Sequence, residues 1–395
     1  MRSTLLGLLV PTFLLLDGGC TGGGSSGTTP SFILPDDPAF TNLEQWGLYN
    51  LGQDVGVVDG IIGSDIRIIY AWPDAWSGKP VLVALLDSGL FFEHPDLNGS
   101  LWENQDEQAG NGLDDDGNGL IDDLHGWNFL ENNADLTDRV GHGTHVAGII
   151  GAGVNNGIGI AGVVPRVRLL PLKVFDRYGS SEELGAVTDD AHYLRALHYA
   201  IEMGARVINN SWGGIPSSSQ VGAFLDDHPE TVFVFAAGNR NHDLEAFPYY
   251  PASFPCKTCL VVAAGNNRDE LWSLSNYGAV SVDIAAPGYE IRSTLSGVEG
   301  RYYGELSGTS QAAAFVSGAA ALLWSVQPTA TAAEICAALL EGADRVPGLQ
   351  GKVVAGRLNV TSALHSLRDG AGIEDLASSH FFFSGSPFLL LSRVR

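Results

Sequence analysis

Apolar residues occur along the chain in two alternating arrangements, namely short continuous runs and longer stretches with helical spacing. The short runs predict buried strands at residues 80–86, 168–174, 206–209, 231–236 and 260–264. The longer stretches predict helices at residues 142–151, 189–203, 222–225 and 310–326. Continuous apolar strands separated by helices are typical of a parallel sheet that is covered on both faces. We therefore expect an α/β fold with a doubly wound, mostly parallel sheet and helices on both of its faces.

The composition is that of a globular protein with a strong acidic excess. Of the 395 residues, 45% are apolar and 17% are charged, which argues against wholesale disorder. The formal net charge is −24, from 45 acidic and 21 basic residues. Such a charge repels phosphate backbones and anionic lipids, so we expect no nucleic-acid partner. An acidic excess also suits a protein that binds cations such as calcium, although a soluble acidic surface explains it equally well.

The N-terminal residues 1–20 are typical of an export signal. Arg2 precedes an apolar run, residues 5–16, that is too short to span a bilayer comfortably. The run leads to Gly19 and Cys20, and this pair resembles a bacterial lipobox in which the cysteine is lipidated. Asp17 stands where an aliphatic residue is usual, so ordinary cleavage remains an equal alternative. We expect an extracytoplasmic protein that is either secreted or anchored by lipid to the bacterial cell surface.

The rest of the chain divides into three parts. Residues 21–40 form a flexible linker, residues 41–366 one domain with an N-terminal arm from about residue 37, and residues 367–395 a tail without an assigned role. Only about 20 residues separate signal and domain, too few for an inhibitor-like propeptide that serves as a folding template. We expect folding without such a template, or a template supplied from elsewhere.

The cysteines favour a local disulfide. Cys256 and Cys259 form a single CxxC motif, which offers too few ligands for a zinc site. Outside the cytoplasm a loop disulfide is favoured over the alternative of two free thiols. Cys336 lies in a helical pattern rich in Ala and Leu and is interpreted as a buried small hydrophobe.

Three segments carry residues suited to acyl transfer. Asp87 follows a predicted strand, His142 opens a predicted helix in the motif G-H-G-T-H-V-A-G, and Ser310 begins another in S-G-T-S-Q-A-A-A. Acyl transfer needs a hydroxyl nucleophile, an imidazole base and a carboxylate that orients the imidazole. The order Asp, His, Ser excludes a lipase-type hydrolase, in which the serine comes first. These residues are the candidate catalytic triad.

Residues 37–366 resemble the subtilisin family of serine peptidases. Besides the triad segments, the matching motifs are Q-W-G-L-Y-N at 45–50, H-P-D-L at 94–97, S-W-G-G at 211–214, A-A-G-N at 236–239 and A-P-G at 286–288. The resemblance implies the expected doubly wound sheet, with an active site at the carboxyl ends of its strands. It also implies serine endopeptidase activity through an acyl-enzyme intermediate.

The resemblance assigns further residues to the site. Asn239 matches the residue whose side-chain amide stabilises the oxyanion, together with the Ser310 backbone N–H. Ser211, Trp212 and Gly213 match the edge segment that pairs with an extended peptide, and Gly179 with Ser180 and Ser181 flanks its other side. Gly213, Ala236 and Gly238 bound a P1 pocket, which we expect to be roomy and to favour large apolar side chains.

Two positions depart from the pattern of the family. Gln311 stands where Met usually follows the nucleophile, and Ala314 replaces a Pro. Neither change removes a reacting group, although the polar Gln311 raises a question about rate. These departures motivate the alternative that the chain is a weak or inactive peptide-binding or adhesion protein. A nearby histidine, His145, is interpreted as a packed helix residue because no Glu base accompanies it as in a metalloprotease.

An acidic loop is a candidate calcium site. In residues 114–123, oxygen ligands stand at alternate positions and Gly permits the tight turn, which partly follows the loop of an EF-hand. The expected ligands are Asp114, Asp116, Asn118 and Asp122. His125 replaces the usual bidentate Glu at the twelfth position, and a solvated acidic loop remains the alternative.

The resemblance alone implies a separate calcium site, which we call the first site, and the acidic loop is then the second. Asp37, Asp96 and Asn156 match its side-chain ligands, and Val154, Ile158 and Ile160 lie in the loop that supplies carbonyl oxygens. We expect calcium to be structural and not catalytic, because the triad needs no Lewis acid. The sequence therefore predicts a monomeric serine endopeptidase that acts on proteins or peptides.

Overall fold

A computed structural model describes residues 32–178, 184–185, 189–297 and 300–370 of the protein, all within one compact unit. The expected export signal, with Cys20, and the tail beyond residue 370 lie outside the described residues, as do residues 179–183 and 186–188.

Seven parallel strands form the main sheet. They are β1 (Val81–Asp87), β2 (Trp127–Asn128), β3 (Val167–Lys173), β6 (Val207–Asn210), β7 (Val232–Ala236), β8 (Cys259–Gly265) and β9 (Ile284–Pro287). Their order across the sheet is β2-β3-β1-β6-β7-β8-β9. Successive strands are added on one side of β1 and then on the other, so the order reverses at β1. The crevice at the carboxyl end of such a strand is the usual ligand site of an open α/β sheet.

Two short antiparallel ribbons lie outside the main sheet. One pairs β4 (Arg177–Tyr178) with β5 (Leu184–Gly185), and the other pairs β10 (Ile291–Thr294) with β11 (Tyr303–Leu306).

Eight helices accompany the strands in the described part of the chain. They are α1 (Pro38–Thr41), α2 (Trp72–Ala75), α3 (His142–Gly151), α4 (Asp190–Glu202), α5 (Ser219–Asp227), α6 (Thr309–Val326), α7 (Ala332–Glu341) and α8 (Val360–Asp369). Several begin at a side chain that accepts a hydrogen bond from an otherwise unpaired backbone N–H. Thr331 and Glu334 form a reciprocal capping box at α7, and Asn359 caps α8.

The sheet separates two apolar cores. Alternate residues of β1 point to opposite faces, so Val83 and Leu85 belong to one core while Ala84 and Leu86 belong to the other. Helix α6 lies in the first core and packs against α3 and against strands β6 to β9. It is the one described helix that is long and apolar enough to cross a membrane, but 94% of it is buried within the protein. It is therefore a core helix that brings its N-terminus to the sheet edge.

The structure confirms the α/β fold class and the predicted strands and helices, with ends that differ by a few residues. The sequence missed β2 and β9, because β2 has only two residues and β9 ends in a Pro without a long apolar run. Residues before 41 also pack against the rest of the described chain. Ala39 and Phe40 are buried, and the Ile33 N–H donates to the Ile69 carbonyl.

Candidate active site

Asp87 and His142 meet at the carboxyl edge of the sheet. Asp87 is the last residue of β1, and His142 is the first residue of α3. The His142 Nδ1 lies 2.7 Å from the Asp87 Oδ1, and both side chains are buried. Asp87 Oδ1 also accepts the Ser88 backbone N–H, whereas no donor among the described residues reaches Oδ2. The carboxylate therefore fixes the imidazole with Nδ1 protonated, so that Nε2 is the nitrogen that can accept a proton.

Opposing effects determine the pKa of His142. Burial is the largest and disfavours the charged ring, but the charge and hydrogen bond of Asp87 and the charge of Asp138 favour it. Together these carboxylates raise the pKa of His142 above its ordinary value of 6.5. The surroundings thus stabilise the imidazolium, which is the form that a general base takes after it has accepted a proton.

A second buried carboxylate, Asp138, connects the two catalytic segments. Its Oδ1 accepts bonds from the Ser88 hydroxyl at 2.8 Å and from the Gly141 N–H at 2.7 Å. Its Oδ2 accepts bonds from the N–H and the hydroxyl of Thr144 at 2.9 and 2.7 Å. Asp138 therefore fixes the end of β1 to the first turn of α3. The sequence analysis missed it because Asp138 lies outside the recognised motif.

Ser310 is the second residue of α6, so it lies in the favourable field of that helix's N-terminus. Its hydroxyl donates to the Ser211 carbonyl at 2.8 Å, and the Ser211 hydroxyl donates back to the Ser310 carbonyl at 2.9 Å. A serine hydroxyl carries a single proton. It must therefore turn from the Ser211 carbonyl toward a base before that proton can be transferred.

Asn239 lies three positions after the end of β7 and contacts Thr309, the residue before Ser310. Its Oδ1 accepts both the N–H and the hydroxyl of Thr309, each at 2.9 Å. The Thr309 hydroxyl oxygen also accepts the Gly238 N–H at 3.0 Å. No acceptor among the described residues bonds the Asn239 Nδ2, so the amide's donors are free for a ligand. Thr309 is thus a residue that orients Asn239, and it was not singled out from the sequence.

Two of the residues expected to bound the P1 pocket, Gly213 and Gly238, lie against the same edge of the Tyr249 ring. Ala236, at the end of β7, is two positions before Gly238. A ring in this place differs from the roomy pocket that the resemblance implies. The side chain of Trp212 is buried, so only its backbone can meet a peptide. Gly179, Ser180 and Ser181 lie outside the described residues.

The unusual Gln311 has a partner. Its side chain is buried, and its Nε2 lies 3.5 Å from the Nδ1 of His145. The pKa of His145 is lowered to about 3, mainly by burial and further by the charge of the nearby His142. The ring is therefore neutral near pH 7. Its Nε2 therefore donates to the Ile291 carbonyl at 3.0 Å while Nδ1 accepts from Gln311. His145 is packed within the protein, as the sequence analysis favoured, and Ala314 is buried inside α6.

The structure brings together the side chains expected at the first calcium site. Asp37 accepts the N–H groups of Asn155 and Asn156, and Asp96 accepts the Ile160 N–H and the Asn156 amide. Burial raises the pKa of both carboxyls, and the charge of Asp96 adds to the rise at Asp37. No Lys or Arg in the described ranges forms an ion pair with either. Two buried carboxylates beside a loop with the carbonyls of Val154, Ile158 and Ile160 fit a hard cation.

The acidic loop forms a different cluster from the one expected. Carboxylate oxygens of Asp114, Asp116 and Glu107 all lie within 4.8 Å of one another. Glu107 is only 6% exposed, and its Oε2 is buried without a donor among the described residues. Asp122 instead accepts the N–H groups of residues 111 and 112 and does not join this group. Asn118 turns its amide nitrogen, a donor, toward Asp116.

Glu107 could not be found from the loop pattern because it lies seven positions before Asp114. A buried carboxylate oxygen without a donor, beside two further carboxylates, matches the donor set that calcium prefers. Glu107, Asp114 and Asp116 therefore fit a calcium ion, whereas Asp122 lies outside this group.

Cys256 and Cys259 form a disulfide, which is the favoured of the two alternatives for this pair. Cys336 is a buried free thiol in α7, and burial raises its pKa.

The parallel sheet, the Asp-His pair and the serine at a helix N-terminus define a serine peptidase of α/β architecture. Residues 78–367 match the family model described as the subtilase family. The chain therefore belongs to the subtilase family.

Relatives of known sequence agree. Thermitase of Thermoactinomyces vulgaris is 34% identical over 297 residues, which are 74% of this chain and 92% of thermitase. The thermophilic serine proteinase of Bacillus sp. strain AK1 is also 34% identical over 297 residues, or 75% of this chain and 64% of that protein. Subtilisin-like protease 2 of Plasmodium falciparum is 36% identical over 272 residues, or 67% of this chain and 18% of that protein. The chain thus spans less than two thirds of the latter two relatives.

Solved structures give the same fold. A protease from Pseudoalteromonas arctica PAMC 21717 superposes with a TM-score of 0.65 at 25% identity, covering 85% of this chain and all of that one. Fervidolysin from Fervidobacterium pennivorans, a keratinolytic enzyme related to subtilisin, superposes with a TM-score of 0.62 at 26% identity. The superposition covers 84% of this chain and 46% of fervidolysin.

Proposed function

We propose that the chain hydrolyses peptide bonds in proteins through the triad Asp87, His142 and Ser310. The observation that carries this proposal is the 2.7 Å contact between the buried His142 Nδ1 and Asp87 Oδ1, in a chain that also holds Ser310 in the first turn of helix α6. Imidazole, orienting carboxylate and hydroxyl are the three groups that acyl transfer needs.

The acylation step follows from these positions. The Ser310 hydroxyl turns from the Ser211 carbonyl and transfers its proton to His142 Nε2 while Oγ attacks the carbonyl carbon of the scissile bond. The carbonyl π bond opens and leaves a tetrahedral carbon with a negative oxygen. Asp87 and Asp138 stabilise the imidazolium, since both raise the pKa of His142.

The oxyanion receives hydrogen bonds from Asn239 Nδ2 and from the Ser310 backbone N–H. Thr309 holds the Asn239 oxygen, which aims the amide's donors away from Thr309 and toward the substrate. The C–N bond then breaks, and the leaving amine takes the proton from His142. Water attacks the resulting Ser310 ester by the same route in reverse and releases the carboxylic acid. Such fixed donors act where charge develops in the transition state.

The substrate would bind as an extended peptide along the segment that contains Ser211, Trp212 and Gly213, by β-augmentation. This proposal is supported by the reciprocal hydrogen bonds between Ser211 and Ser310, which place that segment against the nucleophile. Gly179, on the opposite side of the expected cleft, lies outside the described residues. The proposed substrates are proteins or peptides, and the proposed active form is a monomer.

We also propose an extracytoplasmic location. The N-terminal pattern of residues 1–20 supports export, and so does the Cys256–Cys259 disulfide, because disulfides persist in oxidising compartments. The attachment of a lipid to Cys20 is decided by mass spectrometry of the mature N-terminus. A diacylglyceryl group on Cys20 supports anchoring, and an unmodified N-terminus at any other residue excludes it.

Calcium is proposed as a structural cation at two sites. Asp37, Asp96 and the 154–160 loop, including Asn156, would hold one ion, and Glu107, Asp114 and Asp116 the other. At both places a bound cation neutralises carboxylates that lack a basic partner in the described ranges. Both sites are built largely from loops, which open first in a folded protein, so the ion would act on stability.

The experiment that tests the proposed function is the hydrolysis of casein by the exported protein and by two serine variants. Ser310→Ala should abolish cleavage while the circular dichroism spectrum and melting temperature stay close to those of the unaltered protein. Ser325→Ala, at the other end of α6, serves as the matched control and should retain activity. Comparable casein cleavage by Ser310→Ala contradicts the proposal. A folded, unaltered protein that binds casein but does not cleave it would instead indicate the adhesion function.

A further inference from the structure

Tyr249 occupies the groove into which the side chain of the residue before the scissile bond must point. A β-carbon placed on Gly213 would lie 2.3 Å from Tyr249 Cε1 and 2.6 Å from Cζ. A β-carbon placed on Gly238 would lie 3.1 Å from the same Cε1 and 3.2 Å from Cδ1. One edge of the ring therefore lies across both glycines, and any larger residue at Gly213 would collide with it.

The location of that groove follows from the catalytic groups. The scissile carbonyl must lie between the Ser310 hydroxyl and the Asn239 amide. Ser211 contacts Ser310, and Gly238 precedes Asn239, so the segments that carry Gly213 and Gly238 form the two walls beside this carbonyl. The side chain attached to the same residue as the carbonyl enters between these walls, where the ring of Tyr249 already lies.

The backbone holds Tyr249 in this place. Its N–H donates to the Ser253 hydroxyl at 2.8 Å, and the Ser253 N–H donates to its carbonyl at 2.9 Å. The next residue, Tyr250, accepts the Gly214 N–H at 2.8 Å. The segment with Tyr249 is thus hydrogen-bonded to the segment that carries Gly213. The two segments therefore cannot slide past each other to carry the ring out of the groove.

Tyr249 itself adds no charge to the groove, although the charge of Arg240 acts on its phenol. Burial raises the pKa of Tyr249 to about 12, so its phenol is neutral near pH 7. The opposite wall contains Asn276, which a β-carbon on Gly238 would meet at 2.5 Å. The Asn276 Nδ2 donates to the Ala237 carbonyl, and its Oδ1 accepts the N–H groups of residues 240 and 242. Asn276 is therefore fixed and cannot move aside for a large group.

We propose that Tyr249 is a specificity-determining residue that fills most of the P1 pocket, so that the enzyme prefers substrates with a small uncharged P1 residue such as Ala, Gly or Ser. This inference rests on the proposed function. It reverses the preference for large apolar P1 residues that the resemblance implies, and the reversal is caused by one side chain.

The test compares kcat/KM for tetrapeptide p-nitroanilides that differ only at P1, namely Gly, Ala, Leu and Phe. Active enzyme is first counted by titration with a fluorophosphonate, so that a partly unfolded variant does not distort the ratios. The unaltered enzyme should cleave the Ala substrate at least about 10-fold faster than the Phe substrate, because large groups are excluded sterically.

Tyr249→Gly should raise the ratio of kcat/KM for the Phe substrate to kcat/KM for the Ala substrate by about 10-fold or more. Tyr249→Phe is the matched control: it keeps the ring and removes the hydroxyl, so the preference for Ala should persist. A preference of the unaltered enzyme for Phe overturns the proposal, because the ring would then have to swing out and form a wall. An unchanged Phe-to-Ala ratio in Tyr249→Gly overturns it as well.

These outcomes are separate from a failure of the proposed function. If no substrate is cleaved and no fluorophosphonate is bound, the peptidase function itself is wrong. If titration and cleavage succeed but the P1 profile does not depend on Tyr249, only the inference about specificity is wrong.

Discussion

The Nδ1 of His142 lies 2.7 Å from the Oδ1 of Asp87, although the two residues are 55 positions apart in the chain. One residue ends the strand β1 and the other begins the helix α3, so the contact joins the two elements at the edge where the strand order reverses. This pair determines how the proposed activity depends on pH.

The acid limb of the pH profile should have its midpoint above pH 6.5. His142 acts as a base only when it is neutral, and its folded-state pKa is raised above 6.5 because Asp87 and Asp138 outweigh the effect of burial. Activity should therefore be low below the raised pKa and increase as the pH rises through it. The measurement is kcat/KM against pH with a chromogenic peptide. A profile without an acid limb, or with a midpoint well below 6.5, contradicts this assignment.

Removal of the charge of Asp138 should shift the same limb. In Asp138→Asn the negative charge that raises the pKa of His142 is absent, so the midpoint should move toward lower pH. The rate at the plateau should also fall, since Asp138 bonds both Ser88 and the first turn of α3. Asp135→Asn is the matched control, because Asp135 pairs with Arg139 at the surface and should leave the midpoint in place. A fall in rate without a shift of the midpoint would show that Asp138 supports the structure of the site but does not raise the pKa of His142.

Asn239→Ala should lower kcat by about 10²–10³ with little change in KM, because the lost hydrogen bond is made mainly in the transition state. Thr309→Val should give a smaller loss in kcat, since it removes the hydroxyl that holds the Asn239 oxygen but keeps the amide itself. Steady-state kinetics of the three proteins provide the test. Equal effects on kcat and KM, or a Thr309→Val variant more impaired than Asn239→Ala, would argue against this division of roles.

Calcium should stabilise the fold at two sites. Binding to the native state alone adds about 2.7 kcal/mol when the ion is at 100 times its Kd, and each kcal/mol raises Tm by about 2–4 °C in a domain above 150 residues. Two occupied sites therefore predict a loss of roughly ten to twenty degrees in Tm on chelation with EGTA. Calcium, but not sodium at equal ionic strength, should restore it.

Variants separate the two calcium sites. Asp96→Ala should reduce the calcium-dependent part of Tm at the first site, and Glu107→Gln should reduce it at the second. Asp122→Asn is the control for the second site, because its carboxylate bonds residues 111 and 112 outside the cluster. The calorimetric Tm of each variant with calcium and with EGTA is the readout. A Tm that does not respond to EGTA in the unaltered protein contradicts both sites.

Much of the fold was predictable because its strands and helices carry strong local signals. The buried strands are continuous apolar runs, and helix α3 has the bounds predicted for residues 142–151. The contact between Asp87 and His142 agrees with the candidate triad, whose members could be named because each lies in a short motif at the end of an element. Strand β2 has only two residues and forms by pairing with β3, so its signal is tertiary and not local.

The residues that the sequence did not predict act through contacts that no local motif encodes. Tyr249 reaches Gly213 because residues around 214 and 250 pair, and no local pattern encodes that pairing. Glu107 joins Asp114 and Asp116 only through the course of the loop. Asp138 bonds Ser88, which lies 50 positions away. Such partners depend on packing between elements, whereas the motifs report only the elements themselves.

The most direct test of the central claim is the site of reaction with a fluorophosphonate. The reagent phosphonylates a serine only when a neighbouring base takes its proton and the site accommodates a tetrahedral adduct. Peptide mass spectrometry of the labelled, exported protein should locate a single adduct on Ser310, and Ser310→Ala should remain unlabelled with its fold intact. An adduct on another serine, or no adduct on a folded protein, would contradict the proposed catalytic triad.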